Sequence, residues 1–168
     1  MIQKKSICAF DLDGTLDLTD KNLSVKILRM TKKGAEFVAA TGRTNNYVRK
    51  TCERHGIMQP KFIIADNGGT VFDNREGKYI RKTKISEEKR RSIVEEYIRI
   101  GGRLEDIRYT DGEKVYAAED DRVRKYYEKE DIIKYSSPKE LMEEILGSDI
   151  DITKITLSGD KKIIRKIK

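Results

Sequence analysis

The 168-residue chain has few of the residues that mark secreted, zinc-binding or membrane proteins. It contains two cysteines, Cys8 and Cys52, a single histidine, two prolines and no tryptophan. The cysteines lie far apart in the sequence, so they predict neither a disulfide framework nor a zinc site. No apolar run approaches the roughly 18 residues that would cross a bilayer, and the first residues show no signal-peptide pattern. We therefore expect a cytoplasmic protein with no membrane partner.

Charge is abundant, with 39% charged residues and a net charge of +7. Basic and acidic side chains are interleaved, as in residues 85–91 and 126–130. Mixed charge of this kind is typical of a solvated helix face, so we do not expect a nucleic-acid partner. A positive field would still help to attract a phosphorylated small molecule.

The first half of the chain alternates short apolar runs with segments of helical period. The pattern predicts strands at residues 6–10, 35–40 and 61–65, separated by helices at 24–33 and 44–54. Ser24 is the expected N-cap of the first helix and Gly34 its stop. Strand and helix in strict alternation predict an α/β fold with a parallel sheet and right-handed crossovers.

The alternation of predicted strands and helices ends near residue 80, after a predicted hairpin of strands 70–73 and 78–82. We expect one domain at residues 1–80 and a second α+β module at 81–168. The second module is predicted to contain helices at 86–100, 120–128 and 138–146, strands at 103–109, 114–118, 132–135 and 150–157, and the first turns of a helix from residue 160.

The main chemical signal is the pair Asp11 and Asp13, in the segment Asp11-Leu12-Asp13-Gly14-Thr15-Leu16 directly after the first predicted strand. Asp and Gly are common in turns, so a plain turn is the alternative. Two neighbouring carboxylates repel each other unless a cation or a donor intervenes, which favours a Mg²⁺ site. Asp11 is then the candidate nucleophile that is phosphorylated. Asp13 would protonate the leaving alcohol and later activate water.

Two further polar turns follow the second and third predicted strands, at the edge of the sheet where Asp11 is expected. In Thr41-Gly42-Arg43, the Thr41 hydroxyl and the adjacent N–H groups could bind phosphate, or Thr41 or Thr44 could simply cap the next helix. In Asp66-Asn67-Gly68-Gly69, Asn67 could orient Asp13 or contact the substrate. We therefore predict Thr41, Gly42 and Asn67 as phosphate or substrate ligands.

The other chemically capable side chains have plainer explanations. His55 precedes Gly56 and is a better candidate for a helix C-terminus than for a catalytic base. Five tyrosines of the second module are expected in its core or half-buried around it: Tyr109, Tyr116, Tyr126, Tyr127 and Tyr135.

The three motifs that follow the predicted strands, at residues 11–16, 41–43 and 67–69, together resemble the haloacid dehalogenase-like hydrolase superfamily, and its Cof-type sugar-phosphatase branch in particular. The resemblance implies a Rossmann-like core with an inserted α+β cap domain that closes over the substrate. It also implies Mg²⁺ as cofactor, bound by Asp11 and by the Asp13 carbonyl, with Thr41 on the phosphoryl group. The expected activity is hydrolysis of a small phosphorylated metabolite, similar to a sugar phosphate, through an aspartyl-phosphate intermediate.

The chain departs from the family pattern after the cap-like region. Family members have a lysine there, and then a Gly-Asp loop that completes the metal shell. Ser158-Gly159-Asp160-Lys161-Lys162 is a superficial candidate for both, but no second acid follows it. The rear half of the core is therefore expected to be absent, which would leave an apolar edge beside the first strand. Such a chain should form a homodimer over that edge, rearrange its cap against the sheet, or be a fragment.

Two other functions stay open at this stage. A catalytically weak or inactive relative could bind phosphorylated ligands or a partner chain without turnover. A metal-dependent glycosyltransferase is the third hypothesis, because an Asp-X-Asp pair also binds the metal of a sugar nucleotide.

Overall fold

The structure is a computed structural model that describes residues 6–13, 15–16, 20, 22–118 and 131–167. The chain divides into two compact units, Met1–Lys82 and Thr83–Lys168. Each unit is built on its own sheet, and the predicted α/β class is confirmed. None of the described helices combines the length and apolar character needed to span a bilayer.

The first unit contains a five-stranded sheet in which the strands lie in chain order. Its elements are β1 (Ser6–Phe10), α1 (Leu23–Lys32), β2 (Ala35–Ala40), α2 (Asn45–Arg54), β3 (Phe62–Ala65), β4 (Thr70–Asp73) and β5 (Lys78–Lys82). Strands β1, β2 and β3 are parallel, as predicted, and β4 and β5 continue the sheet as an antiparallel hairpin. The carboxyl ends of β1, β2 and β3 therefore share one edge of the sheet.

Both helices of this unit contribute to a single core on one face of the sheet. Leu23 and Ile27 come from α1, and Val48 and Cys52 from α2. They join a row of buried strand residues, Phe37, Ala39, Ile63, Ala65 and Phe72. Alternate residues of a strand point to opposite faces, so these positions show which face of β2, β3 and β4 the helices cover.

The predicted N-cap of α1, Ser24, is wrong by two residues. The helix begins at Leu23 with Asn22 at its N-cap position, and Ser24 lies inside the first turn. Leu23 and Ile27 are one turn apart on the buried face, so burial of Leu23 draws the start forward. The Ser24 hydroxyl instead donates to the Gly56 carbonyl at 2.6 Å. Gly34 follows the helix with φ +90°, as expected for its stop.

The second unit contains a four-stranded sheet in which strands 132–135, 115–118, 107–110 and 154–157 lie side by side in that order. Its described elements are α3 (Glu87–Arg99), β6 (Ile107–Thr110), β7 (Val115–Ala118), β8 (Ile132–Tyr135), α4 (Pro138–Gly147), β9 (Lys154–Leu157) and α5 (Lys161–Ile164). Helices α3 and α4 supply Val94, Tyr97, Leu141 and Ile145 to a core that includes strand residues such as Tyr109.

Most boundaries in this unit agree with the sequence predictions, and two strands are shorter. Strand β6 begins at Ile107 because Leu104–Asp106 form a 3₁₀ turn, and β9 begins at Lys154 rather than at residue 150. The predicted helix at 120–128, with Tyr126 and Tyr127, lies outside the described residues.

The remaining tyrosines of the second unit have the surroundings that the sequence predicted. Tyr109 and Tyr116 are buried, and Tyr135 packs beside the core. Burial raises the pKa of the Tyr109 hydroxyl to about 12.

Candidate active site

A pocket of about 380 Å³ opens at the shared edge of β1, β2 and β3. Its lining residues follow or end these three strands: Asp11, Ala40, Thr41, Gly42, Ile64, Asn67 and Gly68. The structure therefore brings together four of the predicted site residues, Asp11, Thr41, Gly42 and Asn67. Asp11 is exposed, so its carboxylate is accessible from solvent. The neighbouring Gly14 lies outside the described residues.

Main-chain hydrogen bonds join the turns that follow β2 and β3. The Asp66 N–H donates to the Arg43 carbonyl at 2.9 Å, and the Asn67 N–H donates to the Thr41 carbonyl at 3.2 Å. The Thr41 N–H in turn donates to Ile64 at 2.9 Å. Because these bonds connect backbone to backbone, the two turns form one framework whose geometry depends little on side-chain motion.

The turn after β3 adopts a conformation that side chains rarely tolerate. Asp66 has φ 51°, Asn67 has φ 56° and Gly68 has φ 88°, so three consecutive residues lie in the left-handed region. Asn and Asp accept this region better than most residues, and Gly accepts it freely. At a residue other than glycine, such backbone costs of order 1–3 kcal/mol and clusters at functional sites. We therefore interpret this turn as an element that holds residues of the site in position.

Gly42 and Asn67 lie so close together that residue 42 has no room for a side chain while Asn67 keeps its position. A Cβ atom on Gly42 would lie 2.7 Å from the Asn67 Oδ1. Real Cβ atoms do not approach an oxygen that closely, so Asn67 keeps its position against the β2 turn only because residue 42 is glycine. This relationship gives Gly42 a structural role beside its predicted role as a phosphate ligand.

The sequence left open whether Thr41 or Thr44 caps α2, and the structure gives the cap to Thr44. Thr44 is the N-cap of α2, and its hydroxyl oxygen accepts the Tyr47 N–H at 3.2 Å. The Thr41 oxygen accepts the Arg43 N–H at 3.2 Å. A threonine hydroxyl that accepts one bond still has its own proton to donate. Thr41 can thus donate to an anion in the pocket.

Asp13 is held by a residue to which the sequence gave no role. Arg43 donates from Nε to the Asp13 Oδ2 at 2.8 Å and from Nη2 to Oδ1 at 3.2 Å. The guanidinium also lies over the Tyr47 ring, 5.0 Å from its centroid. The prediction weighed Asn67 as the residue that orients Asp13, and the structure gives this bidentate contact to Arg43. The available signal was an arginine directly after the predicted phosphate-binding pair Thr41 and Gly42.

The other candidates have local structural roles. Asp160 is the N-cap of the four-residue α5 and accepts the Lys162 N–H at 2.8 Å. His55 is the C-cap residue of α2, as predicted. Within the described part of the chain, no three acidic, histidine or cysteine side chains come together as a ready-made metal cage.

Comparison with known proteins relates this site to one family. A family model of the haloacid dehalogenase-like hydrolases matches residues 8–168. A Mycoplasma pneumoniae protein that carries the provisional name of a phosphatase is 34% identical in an alignment of 84 positions that covers 45% of this chain and 29% of that protein.

Solved structures show the same relationship at the level of the fold. A haloacid dehalogenase-like hydrolase from Bacillus subtilis superposes with a TM-score of 0.74 at 21% identity, over 96% of this chain and 64% of that one. A subclass IIB sugar phosphatase of the same superfamily superposes with a TM-score of 0.58 at 18% identity, over 95% of this chain and 72% of that one.

This chain spans only part of the length of the first relatives named above. The chain spans less than two thirds of the length of the Mycoplasma protein and of the Bacillus structure. The match to the family model nevertheless covers nearly the whole chain and includes all three motifs. The resemblance predicted from those motifs is therefore confirmed, and the chain belongs to the haloacid dehalogenase-like hydrolases.

Proposed function

We propose that the protein is a Mg²⁺-dependent phosphatase that hydrolyses a small phosphorylated metabolite through an aspartyl-phosphate intermediate. The observation that carries the proposal is the pocket shared by Asp11 and Thr41. It combines an accessible carboxylate nucleophile with a hydroxyl donor on a hydrogen-bonded turn. A phosphoryl group needs both, because the nucleophile must reach phosphorus while the nonbridging oxygens are held in place.

In the first half-reaction a carboxylate oxygen of Asp11 attacks phosphorus, and the bond from phosphorus to the substrate oxygen breaks. The departing oxygen takes a proton from Asp13, which becomes a carboxylate. In the second half-reaction Asp13 takes a proton from water, the water oxygen attacks phosphorus, and phosphate leaves Asp11. Enzyme and both aspartates return to their starting state.

Arg43 supports this scheme by fixing the Asp13 side chain. Its two donors occupy one lone pair on each Asp13 oxygen. Each oxygen has a second lone pair, so the same carboxylate can still contact a leaving group or a water molecule. We assign Arg43 as a positioning residue that acts through Asp13.

The oxygen donors of the segment 11–13 fit a Mg²⁺ ion in kind, with Asp11 in the lining of the pocket and Asp13 two residues further along the chain. Mg²⁺ prefers oxygen ligands, keeps several waters, and is commonly bound by one or two carboxylates together with substrate phosphate. Asp11 offers an exposed carboxylate and Asp13 a main-chain carbonyl. The Asp13 carboxylate is engaged by Arg43, which favours its carbonyl as the ligand. When bound, the ion would offset negative charge on the phosphoryl group.

The second unit is proposed to be the cap that sets substrate choice. Its α+β architecture, in which α3 and α4 share a core with residues of a four-stranded sheet, supports this proposal. One structural relative is a subclass IIB sugar phosphatase, which supports a sugar phosphate as the substrate class. We also propose a cytoplasmic location, and from the interleaved charge of the sequence we propose that the protein has no nucleic-acid partner.

The direct test measures hydrolysis of an aryl phosphate with Mg²⁺ for the full chain and for Asp11→Asn. The substitution should abolish turnover, and mass spectrometry of acid-quenched reactions should find phosphate on Asp11 in the parent protein alone. Asp149→Asn is the control, since this exposed aspartate belongs to the second unit. Equal activity in Asp11→Asn would remove Asp11 as the nucleophile.

A second candidate function is binding of phosphorylated ligands without turnover. The bidentate contact that occupies Asp13 favours it, because this carboxylate must give and take a proton in catalysis. Calorimetric binding of inorganic phosphate together with undetectable hydrolysis would support this candidate. Steady turnover that depends on Asp11 would eliminate it.

A further inference from the structure

The turn after β3 (residues 66–69, the site turn) is held on one side by the segment 41–45 that follows β2. The backbone bonds described above join the site turn to Thr41 and Arg43. On its other side the site turn runs into β4, whose first residue is Thr70. Thr70 is the register partner of the last residue of β3. The position of Thr70 therefore fixes where the site turn ends.

Asn45 joins this end of the site turn to the start of α2. Its side-chain amide donates to the Thr70 hydroxyl oxygen at 3.3 Å and to the Tyr79 hydroxyl oxygen at 3.1 Å. Asn45 and Thr70 are both 0% exposed, and a hydrogen bond in such an environment is stronger than one in water. Asn45 directly follows Thr44, the N-cap of α2. The segment that binds one side of the site turn through its backbone thus binds the other side through this amide.

The site turn needs such support because its backbone conformation is unfavourable. Asp66 and Asn67 both lie in the left-handed region. For residues other than glycine, this conformation persists only where the surrounding structure enforces it. Asn67 and Gly68 also line the pocket that contains Asp11. A shift of the site turn would therefore move a predicted phosphate ligand.

We propose that Asn45 is a positioning residue of this site, which acts through Thr70 to keep the site turn and Asn67 in place. Asn45 is fully buried, so it acts through its neighbours and not by contact with a substrate. The expected effect on catalysis rests on the proposed phosphatase function. The expected effect on the order of the site turn does not, and the two are measured separately.

Amide hydrogen exchange of the full chain measures the site turn directly. In Asn45→Ala the N–H groups of Asp66 and Asn67 should exchange up to about tenfold faster, as expected for one lost hydrogen bond. Asn74→Ala is the matched control, because the Asn74 amide likewise donates to two oxygens, of residues 59–60, at the other end of β3. It should leave both groups at their parent rates. Parent rates in Asn45→Ala would overturn the proposal.

Two substitutions at Thr70 test the contact through which Asn45 acts. Thr70→Val keeps the branched shape and removes the hydroxyl, so it should reproduce the faster exchange. Thr70→Ser keeps the hydroxyl and should stay near the parent rates. In the Thr70→Val background, Asn45→Ala should have almost no further effect on exchange; additive effects would overturn the assignment to this contact. If Asn45→Ala fails to fold, the comparison of the two Thr70 variants decides.

Initial rates connect the site turn to catalysis. Asn45→Ala and Thr70→Val should raise KM for an aryl phosphate and the inhibition constant of inorganic phosphate together, by up to about tenfold. The change in kcat should be smaller, because the site turn carries Asn67 and neither aspartate of the proposed mechanism. Faster exchange with an unchanged KM would overturn the positioning role. A parent protein without turnover would contradict the proposed function, and the exchange rates would then decide the role of Asn45.

Discussion

Gly42 and Asn67 occupy adjoining turns after β2 and β3, and a Cβ atom on Gly42 would lie 2.7 Å from the Asn67 Oδ1. Both residues line the pocket that contains Asp11. Main-chain bonds hold the two turns together at Thr41 and Arg43, so the turns cannot separate to make room. A methyl group at residue 42 must therefore displace the Asn67 side chain.

We predict that Gly42→Ala impairs the site more than the fold. Asn67 is exposed and can move outward, so the free energy of unfolding should fall by about 1 kcal/mol or less. The displaced side chain should lower kcat/KM for an aryl phosphate on the order of tenfold, because small misplacements at a site are costly. Urea unfolding and initial rates measure the two effects separately.

Asn67→Gly is the matched control for this contact. Glycine accepts the φ of 56° at this position and removes the oxygen that the new methyl group would meet. In a double-mutant cycle, Gly42→Ala should have almost no further effect once residue 67 is glycine. An equal loss in both backgrounds would show that Gly42 acts through something other than Asn67.

A second prediction concerns the bidentate contact between Arg43 and Asp13. Arg43→Lys keeps the charge but replaces a planar fork by a single ammonium group. The two side chains are 20% and 50% exposed, so the free energy of unfolding should change by less than ~1 kcal/mol. We expect kcat for an aryl phosphate to fall about tenfold with little change in KM, since the substitution misorients a proton-transfer group.

The control for Arg43→Lys is Arg99→Lys. Arg99 makes a comparable bidentate contact with Glu96, with both bonds at 2.7 Å, on the exposed surface of α3. Its replacement should leave the kinetic constants unchanged. Parent-like kcat in Arg43→Lys would contradict a positioning role for the fork.

The sequence predicted those parts of the fold that depend on local chemistry. Ser86 begins α3 and Gly34 ends α1 because a side-chain cap and a left-handed residue are needed at those points. Ser24 has the right chemistry for a cap, but burial of Leu23 decides where α1 starts. Where tertiary packing competes with a local capping preference, packing decides where the helix begins.

The site divides in a similar way. Parallel topology alone brings Asp11, Thr41 and Asn67 to one edge, so their proximity could be predicted. The contact between Arg43 and Asp13 joins residues 30 positions apart, and it depends on side-chain reach across two turns. No periodicity or spacing encodes such a distance, so this contact required the structure.

The third prediction is a loss of stability at alkaline pH. Burial raises the pKa of the Cys52 thiol from 9.0 to about 11. Below pH 9 the thiol is neutral in both the folded and the unfolded chain. Between about pH 9 and 11 the unfolded chain ionises first, so the free energy of unfolding should fall, by up to ~3 kcal/mol from this group.

Cys52→Ala separates this group from others that titrate at alkaline pH. The variant lacks the thiol, so its free energy of unfolding should decline less between pH 9 and 11 than that of the parent protein. Tyr109, whose pKa burial raises to about 12, is retained and contributes only above about pH 10. Identical slopes for both proteins in urea titrations across this range would contradict the assignment to Cys52.

The last prediction uses two glycines of the second unit that differ in their surroundings. A Cβ atom on Gly102 would come within 2.6 Å of the Tyr97 Cδ1, and Tyr97 is 1% exposed. The Tyr97 hydroxyl donates to the Ser158 carbonyl, so moving the ring breaks a hydrogen bond as well as core packing. Gly102→Ala should therefore lower the free energy of unfolding by about 1–3 kcal/mol.

Gly147 is the counterpart with open space. It is the last residue of α4, and a Cβ atom there would meet nothing within 4 Å. Alanine favours the helix over glycine by up to about 1 kcal/mol, so Gly147→Ala should be neutral or stabilising. Urea unfolding monitored by tyrosine fluorescence compares the two variants under one set of conditions. The contact with Tyr97 accounts for the loss at residue 102, and helix propensity accounts for any gain at residue 147. A Gly102→Ala variant as stable as Gly147→Ala would contradict the contact with Tyr97.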